Sequence, residues 1–314
     1  MMGYTKKAFT IVELLIVIVV IAILAAISIV AYNGIQSRAR VSALHSELSQ
    51  AFKQLELEKI NDSNGHYPVA LPSSINNSDG TYAYFRNTTT SYCLTKTSDS
   101  TSAFLTSESA RAAAGSCIGM NSWWPLNNSS NDMSGNGYHG NITGATAASG
   151  QSSGGAYSFD GNDYISLPNA GVVGGSGAYS VSAWFKSSGL AAKGIVGWGN
   201  YGSTNQTTAM RMDATYGLRL YWFGNDLIIN DTSVGVNQWH LVVDTYDGTT
   251  QRGYVDGVQR ASRNVSGRNS QTINGRIGST NNGEYFVGSI DDVRIYSRAL
   301  TANEIASMYS GGAF

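Results

Sequence analysis

Lys6-Lys7-Ala8-Phe9-Thr10-Ile11-Val12-Glu13-Leu14 opens the stretch on which the reading of the whole chain turns. From Phe9 to Tyr32 only Thr10, Glu13 and Ser28 interrupt an apolar run. As a helix, a run of that length reaches across a bilayer core of about 30 Å. Lys6 and Lys7 precede it, and positive charge stays cytoplasmic, which places the rest of the chain outside the cytoplasm. Glu13 is the odd member, because an ionised carboxylate among apolar side chains is costly unless paired, and such a residue is functional by default. An ordinary cleaved signal peptide has a shorter apolar core with a small-x-small cut after it. Here Ala22, Ala25 and Ala26 lie inside the run.

Working outward, Gln36 to Ile60 continues as an amphipathic helix. Val41, Leu44, Leu48, Phe52 and Leu55 recur at three- and four-residue steps, with Leu57 as an added member of the stripe, while Arg40, Ser46, Gln50 and Lys53 take other faces. Asn61-Asp62-Ser63-Asn64-Gly65 ends the helix, with Gly65 suited to a left-handed cap. Between residues 80 and 118, Thr81–Phe85 and Ser91–Thr95 read as strands joined by the turn Arg86-Asn87-Thr88-Thr89. Outside the cytoplasm the two cysteines, Cys93 and Cys117, point to a disulfide. A metal or redox pair is the alternative, and the spacing resembles neither.

Near Asn121 the character changes to many short strands set apart by Gly, Asn, Asp and Ser. Tyr179, Val181, Ala183 and Phe185 alternate with Ser180, Ser182, Trp184 and Lys186, as a two-faced strand does. Trp239–Tyr246 is nearly all apolar, and Asp256-Gly257 is a hairpin turn. Such regular short strands predict a β-sandwich. Thr301-Ala302-Asn303-Glu304 is a capping box that opens a closing helix through Met308. The 314 residues carry a net charge of -1, with 36 Gly, 4 Pro and 13% charged residues. No broad basic surface argues for nucleic acid, and the composition is that of a secreted, loop-rich β protein.

Two resemblances follow from these motifs. Lys6–Leu14 resembles the leader and mature N-terminus of type IV pilins, and Asn64-Gly65-His66-Tyr67-Pro68 resembles the loop after the long helix in pilins and pseudopilins. The resemblance implies cleavage by a prepilin peptidase between Ala8 and Phe9, and methylation of the new amino terminus. It implies that Glu13 pairs with a neighbouring subunit's amino group in the filament. Ala8 stands where the family usually has Gly, and Val30 stands where many members have a helix-kinking Pro. Farther on, Trp124-Pro125-Leu126, Asp132-x-Ser134-Gly135-Asn136-Gly137, Tyr157–Gly161, Ser180–Phe185, Gln238-Trp239-His240, Tyr254–Gly257 and Gly288–Tyr296 resemble, in order and spacing, the LamG-like, concanavalin A-like lectin/glucanase jelly roll. The expected fold class is thus an α+β pilin, with a long helix and a small antiparallel sheet, followed by an all-β jelly roll. The expected divisions are a leader at 1–8, a membrane or filament-core helix at 9–35, a pilin globular part at 36–120 and the jelly roll at 121–314.

What chemistry can this chain carry? Glycoside hydrolysis needs two facing carboxylates. After residue 120 the glutamates are Glu284 and Glu304, and Glu304 reads as a cap. Asp244 and Asp247 have the odd spacing of opposite strand faces, and His139 and His240 have no evident partner. Catalysis is not expected. The jelly-roll resemblance implies a structural calcium held by Asp291 and the Asp160-Gly161 turn, with turn formation alone as the competing reading. Sugar binding would use an exposed aromatic with convergent polar groups, for which Tyr201, Arg211, Trp222, Asn225 and Tyr285 are candidates; core packing competes for each aromatic. The expected partners are other pilin subunits, the prepilin peptidase, the inner membrane before assembly, and a glycan or glycoprotein after it. A pseudopilin of a secretion or DNA-uptake machine, with the jelly roll as a protein-binding or spacer module, is the alternative.

Overall fold

The computed structural model describes residues 11–75, 80–86, 88–98, 101–152, 154–189, 193–213, 217–231, 234–280 and 283–311. Ala8 and Phe9 lie outside them. Helix α1 runs unbroken over Ile11–Asn61, through Val30, and Glu13 sits on it with its side chain outside the described residues. Among the described residues no helix is long and apolar enough to cross a membrane, and the side chains of 22–35 are not among them. The helix ends as the sequence predicts: the Asp62 carboxylate accepts the amides of Asn64 and His66, and Gly65 turns the chain at φ +67°.

Four antiparallel strands, β1 (Thr81–Arg86), β2 (Tyr92–Ser98), β3 (Thr101–Thr106) and β4 (Ser109–Ala114), form a sheet in sequence order. Leu44, Leu48, Ala51 and Leu55 of α1 bury against Tyr92, Leu94, Ala103 and Leu105 of this sheet. Leu57 does not join them and is 58% exposed. It falls two residues past Leu55, on another face of the helix. The Cys93–Cys117 disulfide is present, with Cα atoms 5.9 Å apart. It ties β2 to the segment that leads out of this N-terminal body.

The strands that follow are β5 (Met120–Trp124), β6 (Asn141–Thr143), β7 (Thr146–Ser149), β8 (Gly155–Asp160), β9 (Tyr164–Ser166), β10 (Tyr179–Ser187) and β11 (Lys193–Gly199). After them come β12 (Thr207–Asp213), β13 (Gly217–Tyr221), β14 (Leu227–Asn230), β15 (His240–Tyr246), β16 (Thr250–Val255) and β17 (Val258–Asn264). The last are β18 (Arg276–Ile277), β19 (Ser279–Thr280), β20 (Glu284–Tyr285) and β21 (Val287–Tyr296). One sheet has the order β17-β16-β15-β10-β21-β8-β7, with β5 pairing β21 alongside β8. The other runs β14-β13-β12-β11-β18-β9-β6, and β19-β20 is a separate hairpin. The two sheets enclose one apolar core that includes Phe159, Val181, Phe185, Trp198, Met210, Leu220, Trp222, Val242 and Ile290. This is the sandwich the strand spacing predicts, and the alternation in Tyr179–Lys186 places Val181, Ala183 and Phe185 in that core.

The opposite face of the eight-stranded sheet is covered by α2 (Ala302–Gly311). The capping box forms: the Thr301 amide donates to Glu304 Oε2 at 2.8 Å, and the Glu304 amide donates to Thr301 Oγ1 at 3.3 Å. Ile305 and Met308 bury against Trp184, Leu241 and Tyr296, and Tyr309 stacks on Trp184. α2 also packs on α1, β3 and β4, so it lies between the sandwich and the N-terminal body. The seven-stranded sheet therefore faces away from that body.

A β-bulge in β21 completes the joint. Ser182 pairs with Arg294 and Trp184 with Asp291, so two residues, Asp292 and Val293, oppose Ala183 alone. Asp292 takes a left-handed backbone at φ +47°, which Asp tolerates better than most residues. The bulge sends Asp291 and Asp292 to different places. Asp292 grips the buried Arg294 guanidinium at 2.8 and 2.6 Å and accepts Trp123 Nε1 at 2.8 Å. Arg294 in turn donates to the Ala114 carbonyl in the N-terminal body, and Phe104 packs edge-on to Trp123 at 5.0 Å. Truncating one partner of a buried pair strands the other charge. Arg294→Ala is expected to lower stability by about 3–5 kcal/mol in denaturant unfolding. Pairing it with Asp292→Asn should cost less than the sum of the two single changes.

Candidate functional site

The outer face of the seven-stranded sheet is built by register. Asn141, Ser166, Arg276, Gly197, Ala209 and Tyr221 are successive cross-strand partners from β6 to β13. The adjacent row, Ile165, Ile277, Val196, Met210 and Leu220, is buried in the core, so this row faces outward. Two members of the row carry little or no side chain, and Tyr201 fills the space. A Cβ on Gly197 would stand 2.6 Å from the Tyr201 hydroxyl oxygen and 2.5 Å from the Ala209 Cβ, so only glycine lets the ring lie there. The Tyr201 ring stacks on Tyr221 at 6.3 Å, and Phe223 meets Tyr221 edge-on at 5.8 Å.

The next row places Arg211 directly opposite Arg219. Two like charges in that position repel unless carboxylates intervene. Asp213 does so, 3.0 Å from Arg219 and 3.7 Å from Arg211, while Arg219 also meets Asp226 at 3.3 Å. Glu284 forms a close ion pair with Arg211 and accepts Thr280 Oγ1 at 3.0 Å. The Arg211 guanidinium lies over the Tyr221 ring at 5.0 Å.

Of the five residues predicted to bind sugar, the structure brings Tyr201 and Arg211 together on this face. Trp222 is not a platform. It continues the inward series Leu218, Leu220, Trp222 and is fully buried, its Nε1 donating to the Tyr179 hydroxyl at 2.9 Å. Asn225 accepts the Arg263 guanidinium through both its side chain and its carbonyl, which clamps the loop after β13 to β17. Tyr285 is half-buried in a two-residue strand whose residues face opposite sides, so Glu284 on Arg211 leaves Tyr285 on the other side of the hairpin. Tyr221, Phe223, Tyr164 and Arg276 went unrecognised. Tyr221 was legible from the β13 alternation once the core face was known; Arg276 sits in a two-residue strand that no periodicity reveals.

The metal candidates separate. Asp160 pairs with Val287, four residues along β21 from Asp291, or about 13 Å at strand spacing. Asp160 Oδ1 instead accepts the Asn162 amide, and its own amide donates to Asp163, so the Asp160-Gly161 turn is held by itself. The bulge delivers Asp291 to the 150–155 loop. There its Oδ2 accepts the Gln151 amide at 2.9 Å, and its Oδ1 is buried without a hydrogen-bond partner among the described residues. Burial, with Asp292 beside it, pushes this carboxyl up to about 8. A Cβ on Gly150 would sit 2.5 and 2.9 Å from the carbonyl oxygens of Gly155 and Gly154 and 2.8 Å from Asp291 Oδ2, so three oxygens converge at one point. An open depression lined by Asn127, Asn128, Ala147, Ala148, Ser149, Gly154 and Gly155 adjoins it. Among the described residues no three His, Cys, Asp or Glu side chains cluster as metal ligands, so a cation here would lean on backbone carbonyls.

The remaining titratable groups hold turns and the core. His139 Nδ1 accepts the Asp132 amide. His240 has the partner its sequence context did not reveal: Nδ1 bonds Asp256 at 2.8 Å, while Nε2 accepts the Gly235 amide. Asp244 lies wholly buried between the sheets, accepting the Tyr179 hydroxyl at 2.5 Å and Gln251 Nε2 at 3.1 Å. Burial raises its carboxyl to about 6 despite those bonds and the nearby Arg268 and Arg263. Asp247, one residue past the end of β15, stays exposed with its Oδ2 2.6 Å from Arg252.

Residues 159–306 match the concanavalin A-like lectin/glucanases superfamily in its Laminin_G_3 form, and residues 4–29 match the prokaryotic N-terminal methylation motif. Strands β5 to β7, which precede the first match, hydrogen-bond into the same sandwich. Among solved structures, the binding domain of Paraclostridial Mosquitocidal Protein 1 is similar at a TM-score of 0.51 and 17% identity, over 62% of this chain and 52% of that one. Domain 4 of AbnA, a GH43 extracellular arabinanase from Geobacillus stearothermophilus, in complex with arabinotriose, gives 0.48 and 23% over 60% of this chain and 98% of that chain. Trypanosoma rangeli sialidase gives 0.49 and 16% over 64% and 34%. At 17% identity the likeness to the binding domain of Paraclostridial Mosquitocidal Protein 1 is one of fold alone. The comparison with curated proteins finds no match.

The raised Asp244 carboxyl has a sign. Its folded pKa, about 6, exceeds the ordinary 3.8, so its contribution to stability is fully present below about pH 4 and is lost as pH rises through 6. Stability of the native chain should therefore fall relative to Asp244→Asn between pH 4 and 7. Parallel curves in denaturant titrations across that range would exclude this assignment.

Proposed function

We propose that the chain is a minor type IV pilin that presents a lectin-like adhesion domain on a surface filament and binds glycan with the outer face of its seven-stranded sheet. The observation that supports it most is the arrangement of the two halves. The methylation motif lies at one end, and the sandwich is docked on the N-terminal body through α2, with the Tyr201–Tyr221–Phe223 cluster on the far side. In this reading the chain sits in the inner membrane until a prepilin peptidase cuts before Phe9. Glu13 then pairs with a neighbour's amino group inside the filament, neutralising two charges in an apolar core. A sandwich larger than the body beneath it would crowd a shaft built of identical copies, which favours sparse or tip placement.

The function is binding rather than catalysis. Glu284 is committed to Arg211 and Thr280, and Glu304 to Arg298 and the α2 cap. Single-site affinity for a sugar is expected in the millimolar to micromolar range, roughly -4 to -8 kcal/mol, with several copies compensating through avidity. In assembled filaments the mature chain should start at Phe9 by mass spectrometry. Phe223→Ala and Tyr201→Ala should leave filaments assembled while cell attachment falls several-fold. Filaments that keep Met1, or attachment indifferent to both changes, would refute the respective halves of the reading.

A calcium ion at Asp291 is part of this proposal, held by the Asp291 carboxylate and the carbonyls of Gly154 and Gly155, not by Asp160-Gly161. There it would stabilise the loop electrostatically. Calcium at a hundredfold excess over its Kd should raise full-chain stability by about 2.7 kcal/mol. Asp291→Asn should abolish the effect, and an equal calcium response in both proteins would overturn the assignment.

A further inference from the structure

Among the described residues the outer face holds three guanidiniums, and they are not equivalent. Arg211 and Arg219 are interleaved with Asp213, Asp226 and Glu284. Three carboxylates on two guanidiniums leave that end of the face with no cation to offer an incoming anion. Arg276 is different. It stands in the outward row between Ser166 and Gly197, half-buried, with its guanidinium carbon 4.3 Å from the centre of the Tyr164 ring. It has neither an ion pair nor a side-chain hydrogen bond among the described residues. Its five N–H groups form a planar fork suited to carboxylate or sulfate oxygens. Packing over the Tyr164 ring positions the fork without using its donors. Its neighbour in the row, Gly197, has no side chain to cover it, and the Tyr201 hydroxyl lies over that glycine on the far side. A sugar ring could therefore approach Arg276 along the sheet with an aromatic on either flank.

We propose that Arg276 is the anion-recognising residue of this face, so that the preferred ligand is an acidic saccharide whose carboxylate or sulfate is received by its guanidinium between Tyr164 and Tyr201. This rests on the glycan-binding reading of the same face and adds to it the ligand's charge and the residue that reads it. Arg211 and Arg219, neutralised in place, shape the face and support Tyr221; they do not read charge. Being partly exposed to solvent, the Arg276 contact weakens with salt, whereas contacts of neutral sugar with the aromatics do not.

The test uses the purified full-length chain in detergent. Its binding is measured to three probes: a neutral oligosaccharide, the same oligosaccharide ended by a sialic or uronic acid, and the same oligosaccharide bearing a sulfate. The native chain is expected to prefer at least one acidic probe over the neutral one by tenfold or more, a difference of about 1.4 kcal/mol, and the preference should shrink as salt rises. The comparison of the two acidic probes distinguishes a carboxylate from a sulfate source. Arg276→Gln should remove the preference and keep neutral binding, and Arg276→Lys, which retains charge but loses the fork, should restore part of it. Unchanged thermal unfolding confirms that each variant is folded. Equal binding of neutral and acidic probes, or a preference that survives Arg276→Gln, overturns the proposal while leaving the glycan reading intact. Failure of every probe to bind overturns both.

Discussion

The buried pair of Asp292 and Arg294 is the contact on which the relation between the two halves depends. A guanidinium taken out of water is tolerated only when its charge and its donors are all met. Here the charge is met by Asp292 and one donor by the Ala114 carbonyl, which belongs to the other half of the molecule. Trp123 adds a donor to the same carboxylate, and Phe104 packs against Trp123 from the N-terminal sheet. Separating the halves would expose apolar surface and break a satisfied polar network at once. The sandwich is therefore held in a set orientation rather than tethered by its linker. α2 fills the remaining gap, which is why one face of the sandwich is unavailable to ligands and the other is open.

Much of this was legible in the sequence. The long helix, its end at Asp62–Gly65, the capping box of α2 and the two-faced strand at Tyr179–Lys186 all follow from local rules that do not depend on distant residues. Three sites show where such rules stop. Alternation correctly set Trp222 opposite Arg219 and Tyr221, yet alternation alone does not say which of two faces is wet. That is decided by the second sheet, whose position is a long-range fact. Likewise, nothing local separates Asp291 from Asp292, and only the bulge opposite Ala183 shows that their side chains go to different neighbours. The loop that meets Asp291 lies 140 residues away in sequence, a separation beyond the reach of local spacing. Arg276 was hidden for a third reason. It owes its place to a two-residue strand pinned between β9 and β11, too short to leave a pattern.

The interior of the sandwich is also less apolar than its strand pattern predicts. Asp244, Tyr179, Gln251, Arg263 and Arg268 form a polar seam between the sheets, with Arg268 over the Tyr179 ring at 4.1 Å and donating to the carbonyls of Val173 and Gly175. Arg263 carries this seam out to Asn225, at the rim of the face that bears Tyr221 and Phe223. The rim is thus fixed from inside, so the aromatic cluster keeps its shape without a ligand. A preorganised face of this kind loses less conformational freedom on binding than a loop-built one.

The disulfide has a mechanical meaning. Cys117 lies three residues before β5, the segment by which the sandwich is covalently joined to the rest of the chain, and Cys93 anchors it to the second strand of the N-terminal sheet. If the outer face is held on a surface while α1 is drawn back, tension reaches the body by two routes in parallel: the Arg294 and α2 contacts, and the covalent linker. Should the non-covalent route give way, the load passes from β5 into Cys117 and across the sulfur bridge to β2, bypassing β3 and β4 altogether. Those two strands, which would otherwise be peeled off in sequence, are shielded from force. The cross-link acts as a strain relief at the joint, so that the sandwich can be wrenched loose from its seat without unravelling the platform beneath it.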